Sequence, residues 1–420
     1  MQVLDLQCPE FRRDPHPTLA RLREAGPLCR VEPYGAVGVT RYDDVVRVLK
    51  DPQLYSSAGM NDAFPPLPGA ELFSSNRTLI GQDPPQHTKV RRLIQRAFTL
   101  PEMSAWEPRV AELTERLVAT SLRGKQVFDL IADFAMPLPV TVIAAMLGVD
   151  PEHGAAFKRW SDDMVSVRVA QLHPDPAYRE RRRQEIVRSC DEFKAYFEQV
   201  IAARREHPGD DLVSAIVQAA DEGQILQADQ ILSLTRLMLV AGNETTTNLL
   251  GNAMTALLGK APDQWQRLVA EPELAGAAVE EALRFDGPVI HLFRRVTEPT
   301  ELCGTTLAPG TLVAPLLASA NRDPRKFPDP DRFDLGRAEK GHVAFGLGVH
   351  LCVGAPLARI ETRLALAALA REFPDLALTD ETPRLLDSFT LRGHKSLTLV
   401  RRGAASERMA AQARPAAAHV

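Results

Sequence analysis

The segment at residues 231–259, ILSLTRLMLVAGNETTTNLLGNAMTALLG, constrains the fold of this 420-residue chain more than any other. Apolar residues lie on almost every face of a helix with this sequence, so the segment is expected to be a buried central helix. Its middle is nevertheless polar, from Asn243 to Thr247. Each buried polar group without a partner costs about 1–3 kcal/mol, so we expect a functional site at this point.

Helical spacing of apolar residues dominates the rest of the chain, and short alternating stretches occur at 28–42 and 291–317. The long irregular segment at 56–85 carries apolar residues and is expected to pack beside a site. The sequence contains no internal repeat and no clear linker. We therefore predict a mainly α fold with small β-sheets, in one domain over residues 1–402, with a frayed tail at 403–420.

Charge and cysteine usage argue against several classes of protein. A net charge of -4 and a pI of about 6.2 do not indicate a general nucleic-acid binder. The five cysteines are scattered without Cys-x-x-Cys spacing, which argues against a disulfide framework, a zinc ribbon and c-type haem attachment. Unpaired cysteines favour the cytoplasm. No signal-peptide pattern and no uncharged apolar run of about 18 residues occurs, so we expect no membrane anchor.

A glycine-rich loop at residues 345–354, FGLGVHLCVG, holds one cysteine directly before an apolar helical pattern. Gly346, Gly348 and Gly354 let the backbone approach another object closely and adopt positive φ. Amide N–H groups and the positive end of the following helix favour the thiolate form of Cys352. A thiolate in such a loop suits a metal ligand tuned by hydrogen bonds. The alternative is a small cysteine packed at the start of a helix.

The spaced positions of this loop resemble the haem-binding loop of the cytochrome P-450 family in its soluble bacterial form: Phe345-x-x-Gly348-x-His350-x-Cys352-x-Gly354. The resemblance covers residues 14–402. It implies the family's fold, with haem b (iron protoporphyrin IX) between the long central helix and the cysteine loop. It also implies that Cys352 is the metal ligand, a thiolate that pushes electron density onto iron. The other loop residues that it assigns to the haem are Phe345, Gly346, His350 and Gly354.

Within the central segment, AGNETT at 241–246 resembles the oxygen-activating part of the same family. The resemblance implies that Ala241 and Gly242 leave room over the haem, where a disturbed helical hydrogen bond forms a groove for O2. It also implies that Glu244 and Thr245 deliver protons, because one oxygen atom must leave as water. The alternative is a helix kink produced by threonine bonding back to the helix.

The two haem propionates need cationic or donor partners. The resemblance assigns them to His87, Arg91, His350 and either Arg294 or its neighbour Arg295, of which the family register favours Arg294. The alternative for each is a solvated side chain. A further pair, Glu281 and Arg284, lies on one helix face ahead of a turn-rich segment. There Arg332 matches the family's third partner, which implies a buried structural Glu–Arg–Arg network.

The implied function is that of a haem-thiolate monooxygenase, which inserts one oxygen atom from O2 into a C–H bond or an alkene. The chain shows no flavin or iron–sulfur motif, so electrons must come from an external ferredoxin or flavodoxin with its NAD(P)H-dependent reductase. We expect Lys89, Arg92 and Arg96 to help dock that acidic partner, the alternative being a solvated helix face. Two other functions stay open: a peroxygenase driven by hydrogen peroxide, and a non-enzymatic haem carrier or sensor.

The substrate is expected to be a hydrophobic small molecule, such as a fatty acid, terpenoid, steroid or polyketide, because the positions that face the pocket in this family are mostly apolar here. The alternative for each position is ordinary core packing. These positions are Phe64, Leu67, Phe73, Leu237, Val240, Ala241, Ile290, Leu292, Phe389 and Thr390.

Overall fold

The structure, a computed structural model, describes residues 1–58, 60, 65–74, 79–223, 226 and 228–403. Phe64, which we expected in the substrate pocket, and residues 404–420 of the expected tail lie outside the described residues. Helices α1 to α15 are, in chain order, Pro9–Arg13, His16–Ala25, Tyr42–Lys50, Glu71–Ser74, Gln86–Gln95, Leu100–Leu117, Pro137–Leu147, Gly154–Leu172, Pro176–Glu206, Leu212–Gly223, Ala228–Thr255, Pro262–Ala270, Ala275–Asp286, Leu317–Ala320 and Ala355–Glu372.

The strands are short and pair in small sheets, so the predicted mainly α fold with small β-sheets is confirmed. Strands β1 to β13 are Val3–Asp5, Leu28–Glu32, Ala36–Val39, Tyr55–Ser56, Val127–Asp129, Arg294–Val296, Thr300–Leu302, Thr305–Leu307, Leu312–Pro315, Leu376–Leu378, Arg384–Leu385, His394–Ser396 and Thr398–Arg401. The largest sheet has the order β1-β2-β3-β9-β6-β4, in which β1–β2 and β3–β9 are parallel. The smaller sheets are β10-β13-β5, β11-β12 and β7-β8.

Helix α11 is the buried central helix that the sequence predicts. Its 28 residues span about 42 Å, and it packs against α7, α8, α13 and α15. The side chains of Leu234, Leu239 and Ala253 are fully buried. Burial of a leucine side chain contributes about 1.5–3 kcal/mol, so packing rather than intrinsic helix propensity stabilises α11.

Neighbouring elements satisfy part of the polar middle of α11. The side-chain amide of Asn243 donates to Ser161 Oγ on α8 at 3.4 Å, and its Oδ1 accepts from Thr247 Oγ1 at 3.3 Å. Thr247 Oγ1 also lies 3.2 Å from the carbonyl oxygen of Ala135. These residues tie α11 to its neighbours, so the functional interpretation applies to only part of the polar segment.

Helix α15 positions the cysteine loop. It begins at Ala355, directly after the loop, and packs against α6, α11 and α13. Pro356 occupies its first turn, where a missing N–H is tolerated. Ala365, Leu366 and Leu369 are fully buried. Because α15 and α11 share one core, the loop is held beside the middle of α11.

The buried network on α13 contains a different third arginine from the one we expected. Arg284 binds Glu281 through two hydrogen bonds of 2.7 and 2.8 Å, and both side chains are buried. Arg337 Nε lies 3.0 Å from Glu281 Oε1 and is also buried. The side chain of Arg332 is 66% exposed, so its assignment was wrong. Only its carbonyl oxygen takes part, accepting from Arg284 and Arg337.

We predict that Arg337→Ala lowers the free energy of unfolding by about 3–5 kcal/mol, because it removes one partner from a buried charged network. Arg332→Ala is the matched control and should change it by less than about 0.5 kcal/mol, since it removes an exposed side chain. Urea denaturation of both variants measures the difference. Equal losses in the two variants would contradict the network as we describe it.

Candidate haem-binding cleft

A cleft opens between the middle of α11 and the cysteine loop, with a volume of about 1330 Å³ counting its open mouth. Helix α11 contributes Ala241, Gly242 and Thr245, and the loop contributes Phe345 and Cys352 among others. Ala241 is accessible although most of its helix is buried, and Cys352 is accessible from the other side. The sequence-predicted helix and loop are therefore brought face to face across an open space.

Two glycines give the loop its shape. Gly346 and Gly348 have φ of +68° and +70°, the left-handed conformation that glycine adopts without strain. A Cβ on Gly348 would lie 2.7 Å from the carbonyl oxygen of Leu49, so no larger residue fits there. Gly354 differs, because its φ is −82° and a Cβ would meet no atom within 4 Å.

The thiol of Cys352 sits where the loop turns into α15. The backbone N–H of Cys352 donates to the carbonyl oxygen of Phe345 at 3.0 Å, and this hydrogen bond closes the loop. Cys352 is accessible from the cleft but otherwise surrounded by protein atoms, and this burial raises the pKa of its thiol, whereas the amides of Gly354 and Ala355 and the charge of Arg91 lower it. The amide donors at the helix start are present as we expected, but for the free thiol burial outweighs them. A positively charged metal would favour the thiolate.

Three of the four side chains that the resemblance assigns to the propionates line the cleft: His87, Arg91 and His350. Arg294 is not among the lining residues, although its charge acts on both histidines. The rings of His87 and His350 are 4.2 Å apart, and Arg91 Nη2 donates to the carbonyl oxygen of Leu351 at 2.7 Å. Burial and the charges of Arg294, His87 and Arg91 lower the pKa of His350 to about 3. Burial also lowers the pKa of Arg294 to about 10.

This cluster has unused donor capacity. Among the described residues, neither ring nitrogen of His87 nor Nε2 of His350 has a hydrogen-bond partner. Arg294 is 5% exposed, and its guanidinium donates to the carbonyl oxygen of Phe293 at 2.7 Å while the carboxylate of Asp83 supplies a nearby negative charge. A buried group of positive and donor side chains fits an anionic ligand, and the two propionates of haem are such a ligand.

The proposed oxygen-activating residues face different directions. Thr245 lines the cleft, and its hydroxyl donates to the carbonyl oxygen of Ala241 at 2.7 Å. Helix α11 is continuous here, so the expected disturbance is limited to this side-chain bond. The carboxylate of Glu244 is buried and turned toward α8, 3.4 Å from Lys158 Nζ. Burial raises the pKa of Glu244, although the charge of Lys158 lowers it.

The expected substrate residues divide among four places. Leu237 and Leu292 line the haem-binding cleft, and Phe73, Leu237, Val240 and Thr390 line an adjoining cavity. Ile290 and Phe389 instead line a small pocket beside Leu6 and Phe11, and Leu67 lies beside Ala170 and Pro176. The assignments of Ile290, Phe389 and Leu67 to the substrate pocket are therefore corrected. The chain at 289–293 is not a regular strand, so alternation did not predict which side chains face the cleft.

Sequence reasoning missed several residues of these spaces. Ile143 on α7, Met238 on α11 and Val289 line the cleft, and no local pattern distinguishes them from core residues. Arg168 and Arg236 line the adjoining cavity. Arg236 had a detectable signal, because it is the one charged residue in the apolar run ILSLTRLMLVAG.

Comparison with known proteins identifies the family. The Cytochrome P450 family profile matches residues 8–396. The chain is 41% identical over 408 residues to Cytochrome P450 monooxygenase PikC of Streptomyces venezuelae, covering 94% of each chain. It is 36% identical over 390 residues to 6-deoxyerythronolide B hydroxylase of Saccharopolyspora erythraea, covering 90% of this chain and 93% of the relative.

Solved structures of cytochrome P450 proteins share the fold of this chain. A myxobacterial cytochrome P450, CYP267B1, in complex with myristic acid matches with a TM-score of 0.85 and 38% identity, covering 94% of this chain and 98% of that one. CYP109E1 from Bacillus megaterium in complex with testosterone matches with a TM-score of 0.84 and 34% identity, covering 94% of this chain and 100% of that one.

The chain belongs to the cytochrome P450 family. It is a monooxygenase, an oxidoreductase that binds haem b through a cysteine thiolate. Among the described residues, no helix is long and apolar enough to cross a membrane.

We predict that Gly348→Ala lowers both stability and haem content, because it forces positive φ on alanine, at about 1–2 kcal/mol, and places Cβ against the Leu49 carbonyl. Gly26→Ala is the matched control and should retain the wild-type haem content, since the backbone at Gly26 is extended, a Cβ there would meet no atom within 4 Å, and Gly26 does not line the cleft. The ratio of haem absorbance to protein absorbance after purification measures the effect. A normal ratio in Gly348→Ala would contradict the assigned loop geometry.

Proposed function

We propose that Cys352 is the thiolate ligand of the haem and that this chain oxidises a hydrophobic small molecule with electrons from an external ferredoxin or flavodoxin. The observation that carries the proposal is that Cys352 lines the same cleft as Ala241 and as the donor side chains of His87, Arg91 and His350. Bound haem supplies the O2 binding and one-electron chemistry that no side chain provides.

Each wall of the cleft has its own part in holding that group. Ala241 and Gly242 lack side chains that would fill the space, while Gly346 and Phe345 provide close backbone approach and an apolar surface on the loop side. The guanidinium of Arg359 lies 4.6 Å from the centre of the Phe345 ring, which fixes the ring from outside. We assign the propionates to the donor cluster: His87, Arg91, Arg294 and His350.

Thr245 and Glu244 are proposed to supply protons. Thr245 lines the cleft, so rotation of its hydroxyl away from the Ala241 carbonyl would direct its proton into the cleft. Glu244 directly precedes Thr245 on α11, and Lys158 on α8 holds its carboxylate. The carboxyl group of Glu244 would reach the cleft by leaving Lys158. It would then supply protons to Thr245 from the protein interior, so the cleft need not open to bulk water.

Thr245, Glu244 and the cavity beside the cleft distinguish the proposed function from its two alternatives. A peroxygenase driven by hydrogen peroxide receives its oxygen already reduced and has no need of the Thr245–Glu244 pair. A haem carrier or sensor has no need of a substrate cavity beside the cleft, yet one of about 860 Å³ is present, counting its open mouth. Both observations favour oxygen activation.

The electron donor is proposed to dock on α5. Lys89 and Arg92 on α5, and Arg96 directly after it, are exposed. Arg91 on α5 donates to the carbonyl oxygen of Leu351, next to Cys352. The side chain of Leu351 is 43% exposed, which adds an apolar contact between the basic face and the thiolate. An acidic ferredoxin or flavodoxin complements this surface. The described cysteines form no disulfide, which agrees with the reducing cytoplasm where such donors occur.

The proposed substrate class is an apolar small molecule. The walls of the cleft and of the adjoining cavity are mostly apolar, with Leu237 on both. Relatives include a 6-deoxyerythronolide B hydroxylase, a vitamin D(3) 25-hydroxylase and a protein whose structure was solved with bound testosterone.

We predict that Thr245→Ala lowers product formation by about 10- to 100-fold while NAD(P)H consumption continues, because the proton needed for productive O2 cleavage arrives too slowly. The released hydrogen peroxide should rise in proportion. Thr247→Ala is the matched control, since Thr247 bonds Ala135 and Asn243 and does not line the cleft.

The measurement is product formed per NAD(P)H consumed, with hydrogen peroxide assayed in parallel. Unchanged coupling in Thr245→Ala would contradict the proton-delivery assignment. Turnover with hydrogen peroxide that exceeds turnover with the electron donor would instead establish the peroxygenase.

We predict that reversing charge at Arg92 and Arg96 together, to Glu, slows reduction by the donor about tenfold or more at low ionic strength and flattens its salt dependence. Arg188→Glu alters an exposed arginine on α9 and should leave reduction unchanged. Stopped-flow reduction at several salt concentrations measures this. Equal rates for the reversed and wild-type proteins would rule out α5 as the docking face.

A further inference from the structure

Arg359 on α15 lies against the cysteine loop. Its guanidinium carbon is 4.6 Å from the centre of the Phe345 ring, close enough for a cation–π contact. Phe345 lines the cleft, and its carbonyl oxygen accepts the backbone N–H of Cys352 at 3.0 Å. Arg359 therefore contacts the residue that closes the loop around the thiol and forms part of the cleft wall.

Two other side chains hold this guanidinium in place. Arg359 Nε and Nη2 donate to the two carboxylate oxygens of Glu280 on α13, at 2.6 and 3.1 Å. His342 Nε2 lies 3.2 Å from the same carboxylate, and His342 Nδ1 accepts from the backbone N–H of Ala344 at 3.2 Å. Because Nδ1 accepts, Nε2 carries the proton and donates to Glu280. A chain of hydrogen bonds thus runs from the residue before the cysteine loop to the arginine that contacts Phe345.

The charges of this set reach the thiol. Burial alone would raise the pKa of Glu280, but the hydrogen bonds from His342 and Arg359 lower it to about 2, so the carboxylate is charged and holds the cation. Burial raises the pKa of the Cys352 thiol, and the positive charge of Arg359 is one of the influences that lower it. The guanidinium is therefore close enough to stabilise negative charge on the sulfur.

A neighbouring arginine shows what a simple tether between helices looks like. Arg363 lies one turn further along α15, and its Nη2 donates to Glu107 on α6 at 2.6 Å. Its side chain is 36% exposed, compared with 41% for Arg359. The two arginines share a helix, a glutamate partner and a similar exposure. They differ in the contact of Arg359 with the cysteine loop.

We infer that Arg359 is a positioning residue that acts through Phe345 and Cys352 and sets how readily the bound haem accepts an electron. Reduction transfers one electron from the external donor to the haem iron and breaks no bond, so the negative charge shared by iron and thiolate increases by one. A cation held nearby stabilises the reduced state more than the oxidised state. Glu280 and His342 keep that cation in place. This inference rests on the proposed function, which it extends to control of electron transfer.

The test is the midpoint potential of the substrate-free, haem-loaded protein, measured by spectroelectrochemical titration. Arg359→Met should lower the ratio of reduced to oxidised haem at a fixed potential by about 3- to 10-fold, which corresponds to a midpoint about 30–60 mV more negative. The effect is modest because the carboxylate of Glu280 offsets part of the charge. Arg359→Lys keeps the charge without the planar fork and should recover part of the shift. Arg363→Met is the matched control and should leave the potential unchanged.

Glu280→Gln supplies a second variant. It keeps the arginine but removes the charged partner that holds it beside Phe345. It should therefore move the potential in the same direction by a smaller amount. This variant decides the question if Arg359→Met does not retain haem.

A wild-type or more positive potential in Arg359→Met would overturn the inference. An equal shift in Arg363→Met would also overturn it, because a simple tether between helices would then account for the effect. The spectrum of the reduced, carbon monoxide-treated wild-type protein separates this failure from that of the proposed function. A thiolate-type spectrum with no change of potential in the variants rejects only the role of Arg359, whereas absence of that spectrum in wild type rejects the proposed function itself.

Discussion

The approach of the cysteine loop to the middle of α11, across a gap that protein side chains do not fill, is the constraint on which the rest of this structure depends. A well-packed interior normally closes such a space, since cavities cost stability in proportion to their volume. The gap persists because Ala241 and Gly242 have nothing to fill it and because α13 and α15 hold the loop at a distance. The fold is thus organised around a bound group.

The charges around the cleft, like its shape, favour a bound ligand. His87 and His350 line the cleft 4.2 Å apart, and burial together with the charges of Arg294, His87 and Arg91 lowers the pKa of His350. A dianionic ligand offsets these positive charges, so cofactor binding and local stability are linked.

Local patterns predicted the features that depend on local physics. The segment that is apolar on almost every face predicted α11. The glycine spacing predicted the left-handed turns of the loop before Cys352, and the resemblance predicted the donor side chains beside it. Features that depend on tertiary placement were not predictable. Arg332 and Arg337 lie in one aperiodic segment, and only packing against Glu281 decides between them. Likewise, Ile290 faces a different pocket from the cleft because the chain there is irregular.

The measurement that tests the central claim most directly is the optical spectrum of the reduced protein with carbon monoxide, compared between wild type and Cys352→Ser. We expect a strongly red-shifted Soret band in wild type and its loss, or its move to the position of a neutral ligand, in the variant. A red-shifted band that survives Cys352→Ser would contradict the assignment of the thiolate. Absence of any haem spectrum in folded wild-type protein would contradict the organisation of the fold around this cleft.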